Sequence, residues 1–100
     1  MSDLKTLFRP RSIAVIGASI HSDRAGHIVM RNLLDGEFDG PIMPVHPNYH
    51  SVCGILAYPD IPSLPITPDF AILCTPAREN VKILTELGEK GVKLVIILSS

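Results

Sequence analysis

Short runs of consecutive apolar residues limit the possible folds of this chain more than any other feature. They lie within residues 12–16, 70–74 and 94–98, and a helical pattern follows each of the first two. A strand with one exposed face alternates apolar and polar residues, whereas a strand covered on both faces is continuously apolar. The runs therefore predict an α/β fold with a parallel sheet and right-handed crossover connections.

Apolar spacing and turn residues predict two helices. The first covers residues 25–34 and ends at Gly36, a residue typical of helix C-termini. The second begins with Thr75 as N-cap and Pro76 in the first turn, and ends at Gly91. Its predicted apolar stripe consists of Val81, Leu84 and Leu87.

Further strands are predicted at residues 41–45, where Pro44 should keep part of the strand out of regular pairing, and at residues 54–58. Residues 4–8 are expected to form one helical turn. We expect a Rossmann-like parallel sheet with flanking helices, in which the first strand is central. The sheet is expected to be truncated after the last strand. Residues 1–100 would then be one domain, cut from a longer multidomain protein.

Composition disfavours several classes of function. Nine basic and ten acidic residues give a net charge of −1 without any like-charged block, so neither nucleic acid nor a membrane surface is an expected partner. Mean hydropathy is +0.30, but no apolar run approaches the roughly 18 residues of a membrane span. The N-terminus lacks signal-peptide features, which predicts a cytoplasmic location. Cys53 and Cys74 fit no metal-ligand spacing and are expected to be reduced and buried.

The predicted sheet brings the loops after three strands to one crevice, where ligands of open α/β sheets bind. The loop that begins with Gly17 fits either a phosphate site built from backbone N–H groups or an ordinary tight turn. Asp23 disfavours an anion beside this loop, whereas three nearby basic residues favour one. These basic residues are His21, Arg24 and His27.

The end of the second strand carries no carboxylate to hold a ribose diol, but has His46 and His50. This favours NADP or coenzyme A over NAD, although both histidines also fit solvated loop positions. No catalytic constellation or metal site is predicted. The residues alone leave open a CoA-binding module, the nucleotide domain of an NADP-dependent oxidoreductase, and an interaction module that binds no nucleotide.

Four segments, LFRPRSIAVIGAS, AGHIVMRNLLDGEFDGPIMPVHP, GILAYPDIPSLPITPDFAILCTPA and LGEKGVKLVIILSS, together resemble a known family. It is the N-terminal CoA-binding domain of NDP-forming acyl-CoA synthetases, and the similarity extends over nearly the whole chain. Within it, RAGHIVMRNLL and PDIPSLPITPD are most similar to Pat-type bacterial protein lysine acetyltransferases. Those proteins join an acyl-CoA-synthetase-like region to a GNAT acetyltransferase domain.

The resemblance implies coenzyme A or acetyl-CoA as the ligand of a module that is not catalytic alone. It implies first a regulatory CoA-binding module of a protein lysine acetyltransferase, and as the alternative the CoA-binding domain of an active ADP-forming acyl-CoA synthetase. By position, it implies that the phosphates contact Gly17, Ala18, Ser19, Arg24 and Gly26. The adenosine part would contact Val45, His46, Pro47 and Asn48, and the pantetheine arm Thr75, Pro76 and Ala77. Other domains of the parent chain are expected partners. Self-association through the strand at residues 94–98 is also expected, because its exposed edge is apolar.

Overall fold

The computed structural model describes residues 11–98, in which helices flank a four-stranded parallel sheet. In chain order the elements are β1 (Ile13–Ile16), α1 (Ala25–Asp35), β2 (Ile42–Val45), β3 (Ser51–Val52), β4 (Ile55–Leu56), β5 (Phe70–Leu73), α2 (Ala77–Lys90) and β6 (Leu94–Ile97). The sheet order is β2-β1-β5-β6, which confirms the predicted α/β fold with a central first strand. The helical turn predicted at residues 4–8 lies outside the described residues.

Successive residues of β1 point to opposite faces of the sheet, and each face has its own apolar core. Ala14 and Ile16 belong to the cluster that contains Leu87 of α2. Ile13 and Val15 belong to the cluster that contains Met30 of α1. All four residues of β1 are buried, as its continuous apolar sequence predicted.

Pro44 lies inside β2, contrary to the prediction that it would interrupt regular pairing. It stands opposite Val15 in the parallel register with β1. Its carbonyl oxygen accepts a hydrogen bond from the backbone N–H of Tyr58 at 2.9 Å, on the side away from β1. Since N and C=O of one strand residue face the same side, the missing N–H of Pro44 removes no bond to β1. A proline is tolerated at an edge position for this reason.

The strand predicted at residues 54–58 is instead part of a separate two-stranded antiparallel hairpin of β3 and β4. Cys53 and Gly54 form its turn with φ values of 52° and 81°. Two consecutive positive φ values are typical of tight hairpin turns that match strand twist. After the hairpin, Tyr58 forms an isolated parallel bridge with Val45 and so continues the edge of the main sheet.

Each helix packs on the sheet through a face that differs in part from the predicted one. In α1 the buried residues are Gly26 and Met30, whereas Ile28 is 49% exposed. In α2 Leu87 is buried and Ile83 packs against the same core. The predicted stripe is therefore wrong at two positions, because Val81 and Leu84 are 76% and 38% exposed.

The start of α2 also differs from the prediction. Its N-cap is Pro76, with extended ψ of 144° and no side-chain cap. Thr75 is not the N-cap, since its hydroxyl donates to Oδ1 of Asn80 at 2.8 Å instead. The end agrees with the prediction, because Gly91 has a left-handed φ of 96° and donates to the carbonyl of Leu87. Within residues 11–98, neither helix is long and apolar enough to cross a membrane.

Candidate functional site

Three parallel strands end at the same level and open one crevice at their carboxyl ends. Ile16 stands opposite Val45 of β2 and Leu73 of β5. Just beyond this level, Gly17 N–H donates to the Val45 carbonyl at 2.9 Å, and Cys74 N–H donates to the Ile16 carbonyl at 2.8 Å. These bonds hold the first residues of the loops against the ends of the neighbouring strands. The backbone at the base of the crevice is therefore fixed in position.

Close backbone packing explains the glycines of the first loop. Gly17 has a φ of +84°, and a Cβ there would lie 2.7 Å from the carbonyl oxygen of Cys74. At Gly26 of α1, a Cβ would lie 2.0 Å from the carbonyl oxygen of Gly17. A side chain fits at neither position. The two glycines thus let α1 begin directly against the loop after β1, as phosphate-binding turns require.

Ser19 organises the loop between β1 and α1. Its hydroxyl oxygen accepts a hydrogen bond from the backbone N–H of His21 at 3.0 Å. Its carbonyl oxygen lies 3.1 Å from Nδ1 of His27, which must donate because a carbonyl oxygen only accepts. Ser19 is 7% exposed and still lines the crevice. Its hydroxyl proton remains available for a ligand, since the bond to His21 uses only the oxygen.

The N-terminus of α1 faces the crevice and suits an anion. Arg24, Ala25 and Gly26 line the crevice there. Arg24 is the N-cap without a side-chain cap, and the first turn carries no acidic residue. The unpaired N–H groups and the dipole of a helix N-terminus attract negative charge. Asp23, which disfavoured an anion in the sequence, does not line the crevice.

The loop after β2 presents a pair of stacked rings. The His46 and Tyr49 ring centroids are 4.1 Å apart, with an angle of 20° between their planes. Nδ1 of His46 accepts a hydrogen bond from the Asn48 N–H at 3.1 Å, so its proton resides on Nε2. Burial lowers the pKa of His46 below its usual value of 6.5. The loop therefore offers a neutral, flat surface, with no carboxylate to repel a phosphorylated ribose.

The crevice has a volume of about 650 Å³, which is within the range of small-molecule sites. All the predicted contact residues except two line it: Gly17, Ser19, Arg24, Gly26, Val45, His46, Pro47, Asn48, Thr75 and Pro76. The two exceptions have different positions. Ala18 is fully buried in the core on the α1 side, and Ala77 is an exposed first residue of α2.

Sequence reasoning missed one wall of the crevice. Residues 59–61, which were not predicted to contact a ligand, line it together with residues of α2. The α2 residues are Glu79, Ile83 and Glu86. Their spacing of four and three residues was the available signal, because it places them on one helix face. Within residues 11–98, no cluster of three or more His, Cys, Asp or Glu side chains could hold a metal ion.

The sequence profile of the CoA-binding domain matches residues 11–100. The chain belongs to this family. Among curated proteins, the ADP-forming acetate–CoA ligase II of Archaeoglobus fulgidus is 39% identical over 98 residues, which are 98% of this chain and 15% of that protein. The alpha subunit of the ADP-forming acetate–CoA ligase I of Pyrococcus furiosus is 36% identical, over 97% of this chain and 22% of the subunit.

A solved structure of another protein has the same fold as this chain. The dinucleotide-forming acetyl-coenzyme A synthetase 1 of Ca. Korarchaeum cryptofilum, in complex with phosphate and ADP, matches with a TM-score of 0.92 and 33% identity. The match covers all of this chain and 22% of that one. This CoA-binding domain therefore has the fold found in acetyl-CoA synthetases, and coenzyme A is confirmed as its cofactor. The chain spans only about 15% of the Archaeoglobus relative.

Proposed function

We propose that the crevice holds coenzyme A and its thioesters, with the nucleotide phosphates at the N-terminus of α1. There, Gly17 and Gly26 let the ligand approach the backbone, and Arg24 supplies a positive charge. The hydroxyl of Ser19 has a proton to donate. The observation that carries this proposal is that a helix N-terminus free of acidic residues in its first turn lines the same crevice as the three strand ends.

The other two loops would hold the rest of the ligand. The loop at residues 45–48 would contact the adenosine part, with the His46 and Tyr49 stack as a flat neighbour. The turn at Thr75 and Pro76 would contact the pantetheine arm. Ala18 and Ala77 do not line the crevice, so we assign neither of them a contact with the ligand.

For the whole protein, we propose the activity of an ADP-forming acyl-CoA synthetase, in which this chain supplies CoA binding and no catalytic group. The Archaeoglobus and Pyrococcus relatives carry that activity in their names. Within residues 11–98 we assign no nucleophile, so other domains of the parent chain would act on the acyl group. A cytoplasmic location fits such an enzyme.

A second candidate is a protein lysine acetyltransferase, in which the same domain senses acyl-CoA. The observation that favours it is the resemblance of residues 24–34 and 59–69 to Pat-type enzymes. Activity of the full-length protein separates the two candidates. A synthetase forms acyl-CoA from the acid, CoA and ATP, whereas an acetyltransferase transfers the acetyl group of acetyl-CoA to protein lysines and needs no ATP.

Calorimetric titration of the full-length protein with CoA, acetyl-CoA, NADP and NAD tests the binding proposal. We expect binding of the two CoA species alone, and weaker binding by the Arg24→Ala variant. Arg31→Ala is the matched control, because Arg31 lies on the same helix and pairs with Asp35 at 2.9 Å outside the crevice. Binding of NADP alone would favour the oxidoreductase hypothesis, and no binding of any ligand would favour an interaction module.

A further inference from the structure

Two hydroxyl groups of the crevice have opposite hydrogen-bonding capacities. Ser19 and Thr75 both line the crevice, one after β1 and the other after β5. The Ser19 oxygen accepts from the His21 N–H, so its proton is available to a ligand. The Thr75 hydroxyl instead donates its proton to Oδ1 of Asn80 at 2.8 Å. Within residues 11–98 no group donates to the Thr75 oxygen, which therefore remains available as an acceptor.

Contacts with two different elements fix the orientation of the Thr75 side chain. Its methyl group packs against the loop after β1, since a Cβ at Gly17 would lie 2.9 Å from the methyl carbon. Its hydroxyl is bonded to Asn80, the fourth residue of α2. A β-branched side chain also has few rotamers of its own. Asn80 is half-buried and does not line the crevice, so its effect on a ligand would pass through Thr75.

We propose that Asn80 is a positioning residue, which makes Thr75 the acceptor for an amide N–H of the pantetheine arm. This inference rests on the proposed function, which assigns the arm to the turn at Thr75 and Pro76. Phosphate oxygens only accept hydrogen bonds, so a hydroxyl that has already given its proton to Asn80 does not bind them. The N–H donors of CoA belong to adenine and to the amides of the arm, and the adenosine part is assigned to residues 45–48.

The two hydroxyls thereby favour one direction of the ligand in the crevice. Ser19 donates toward the phosphates at the N-terminus of α1, whereas the Thr75 oxygen attracts an N–H group and repels an anion. Without an acceptor at position 80, the Thr75 hydroxyl can turn its proton into the crevice. It would then no longer distinguish an amide N–H from a phosphate oxygen.

Calorimetric titration of the full-length protein with CoA tests the role of Asn80. Asn80→Leu, which removes the acceptor at a similar side-chain volume, should weaken CoA binding roughly fivefold. Asn80→Asp should bind CoA as the wild type does, because a carboxylate oxygen also accepts the Thr75 proton. The nucleotide 3′-phosphoadenosine 5′-phosphate lacks the arm, and its affinity should be the same for wild type and Asn80→Leu.

A double-mutant cycle with Thr75→Val assigns the effect to the hydrogen-bonded pair. Thr75→Val should weaken CoA binding by the same factor as Asn80→Leu, and the double variant should lose no more than either one. Thr85→Val is the matched control, because the Thr85 hydroxyl donates to the Val81 carbonyl at 2.9 Å on the same helix and Thr85 does not line the crevice. Circular dichroism checks the folding of each variant.

Unchanged CoA affinity in Asn80→Leu would overturn the inference. So would additive losses in the double variant, or an equal loss of affinity for CoA and for the nucleotide without the arm, since Asn80 would then act through the general structure of the crevice. Failure of the wild-type protein to bind CoA would instead contradict the proposed function itself.

Discussion

His27 donates a hydrogen bond from Nδ1 to the carbonyl oxygen of Ser19, which lies eight residues earlier, at 3.1 Å. This bond connects the first turn of α1 back to the loop that lines the crevice. The same Nδ1 atom is 3.8 Å from Sγ of Cys53, in the turn of the β3–β4 hairpin. His27 therefore holds the loop in position although its own side chain does not line the crevice.

Replacing His27 by alanine should weaken CoA binding by about fivefold, because a lost hydrogen bond of about 1 kcal/mol leaves the Ser19 loop free to move. The measurement is calorimetric titration with CoA. His50→Ala is the matched control, since His50 is exposed and does not line the crevice. Equal CoA affinity of the two variants would show that the bond to Ser19 has no role in binding.

Replacing Gly26 by alanine should lower the free energy of unfolding by roughly 2–3 kcal/mol, because the added Cβ overlaps the Gly17 carbonyl oxygen. Gly88→Ala is the control on the other helix. Nothing lies within 4 Å of a Cβ at Gly88, so that change should stabilise α2 by roughly 0.5–1 kcal/mol. Urea unfolding measures both. Similar effects of the two changes would mean that the contact with Gly17 does not limit packing.

The sequence was sufficient to predict the parallel sheet, because continuous apolar runs occur where helices cover both faces of a strand. It was not sufficient to choose the buried face of α2. Leu87 follows Ile83 by four residues and Leu84 by three, so apolar spacing fits either pair. Only the sheet below the helix decides between them, and it buries Leu87 beside Ile83 while Leu84 is exposed.

The candidate site, like the fold, was predictable from the sequence only in part. Strand order alone predicted that the loops after β1, β2 and β5 would meet, and they do. The contribution of residues 59–61 was not predictable, because it depends on Tyr58 bridging Val45 at the sheet edge. The Thr75 hydroxyl was predicted to cap α2, but the side chain of Asn80 offered it a different acceptor.

Cys74 should react slowly with thiol reagents. Burial raises the pKa of its thiol to about 11, and only the thiolate is a nucleophile. Relative to the unfolded chain, whose thiols have an ordinary pKa, the rate at pH 8 should be roughly a hundredfold lower. Iodoacetamide labelling followed by mass spectrometry measures Cys74 in a Cys53→Ser background. A native rate close to that in urea would show that the thiol is not protected by burial.

His46 should make the protein less stable at mildly acidic pH. Burial lowers the pKa of His46 in the folded state, so the unfolded state binds its proton more readily. The free energy of unfolding should therefore fall as the pH drops through the usual histidine value of 6.5, and level off below the folded-state pKa. Protonation of Nδ1 also removes the acceptor for the Asn48 N–H.

Urea unfolding from pH 5 to 8 should show this decrease, and the His46→Ala variant should show a smaller one. His21→Ala is the control, since it removes an exposed histidine from the same crevice. The same pH dependence in wild type and His46→Ala would assign the decrease to other groups.

The outer edge of β6 should make the isolated 100-residue chain self-associate. In the part of the chain that the structure describes, β6 pairs only with β5, and its Ile96 and Ile97 are 43% and 49% exposed. An unpaired strand edge with exposed apolar side chains favours pairing with another chain.

Ile97→Lys should therefore shift the molar mass measured by light scattering toward that of the monomer. Val81→Lys is the matched control, because Val81 is 76% exposed on α2, away from this edge. A wild-type chain that stays monomeric at high concentration would contradict the prediction, and an equal effect of both substitutions would assign association to exposed apolar surface in general.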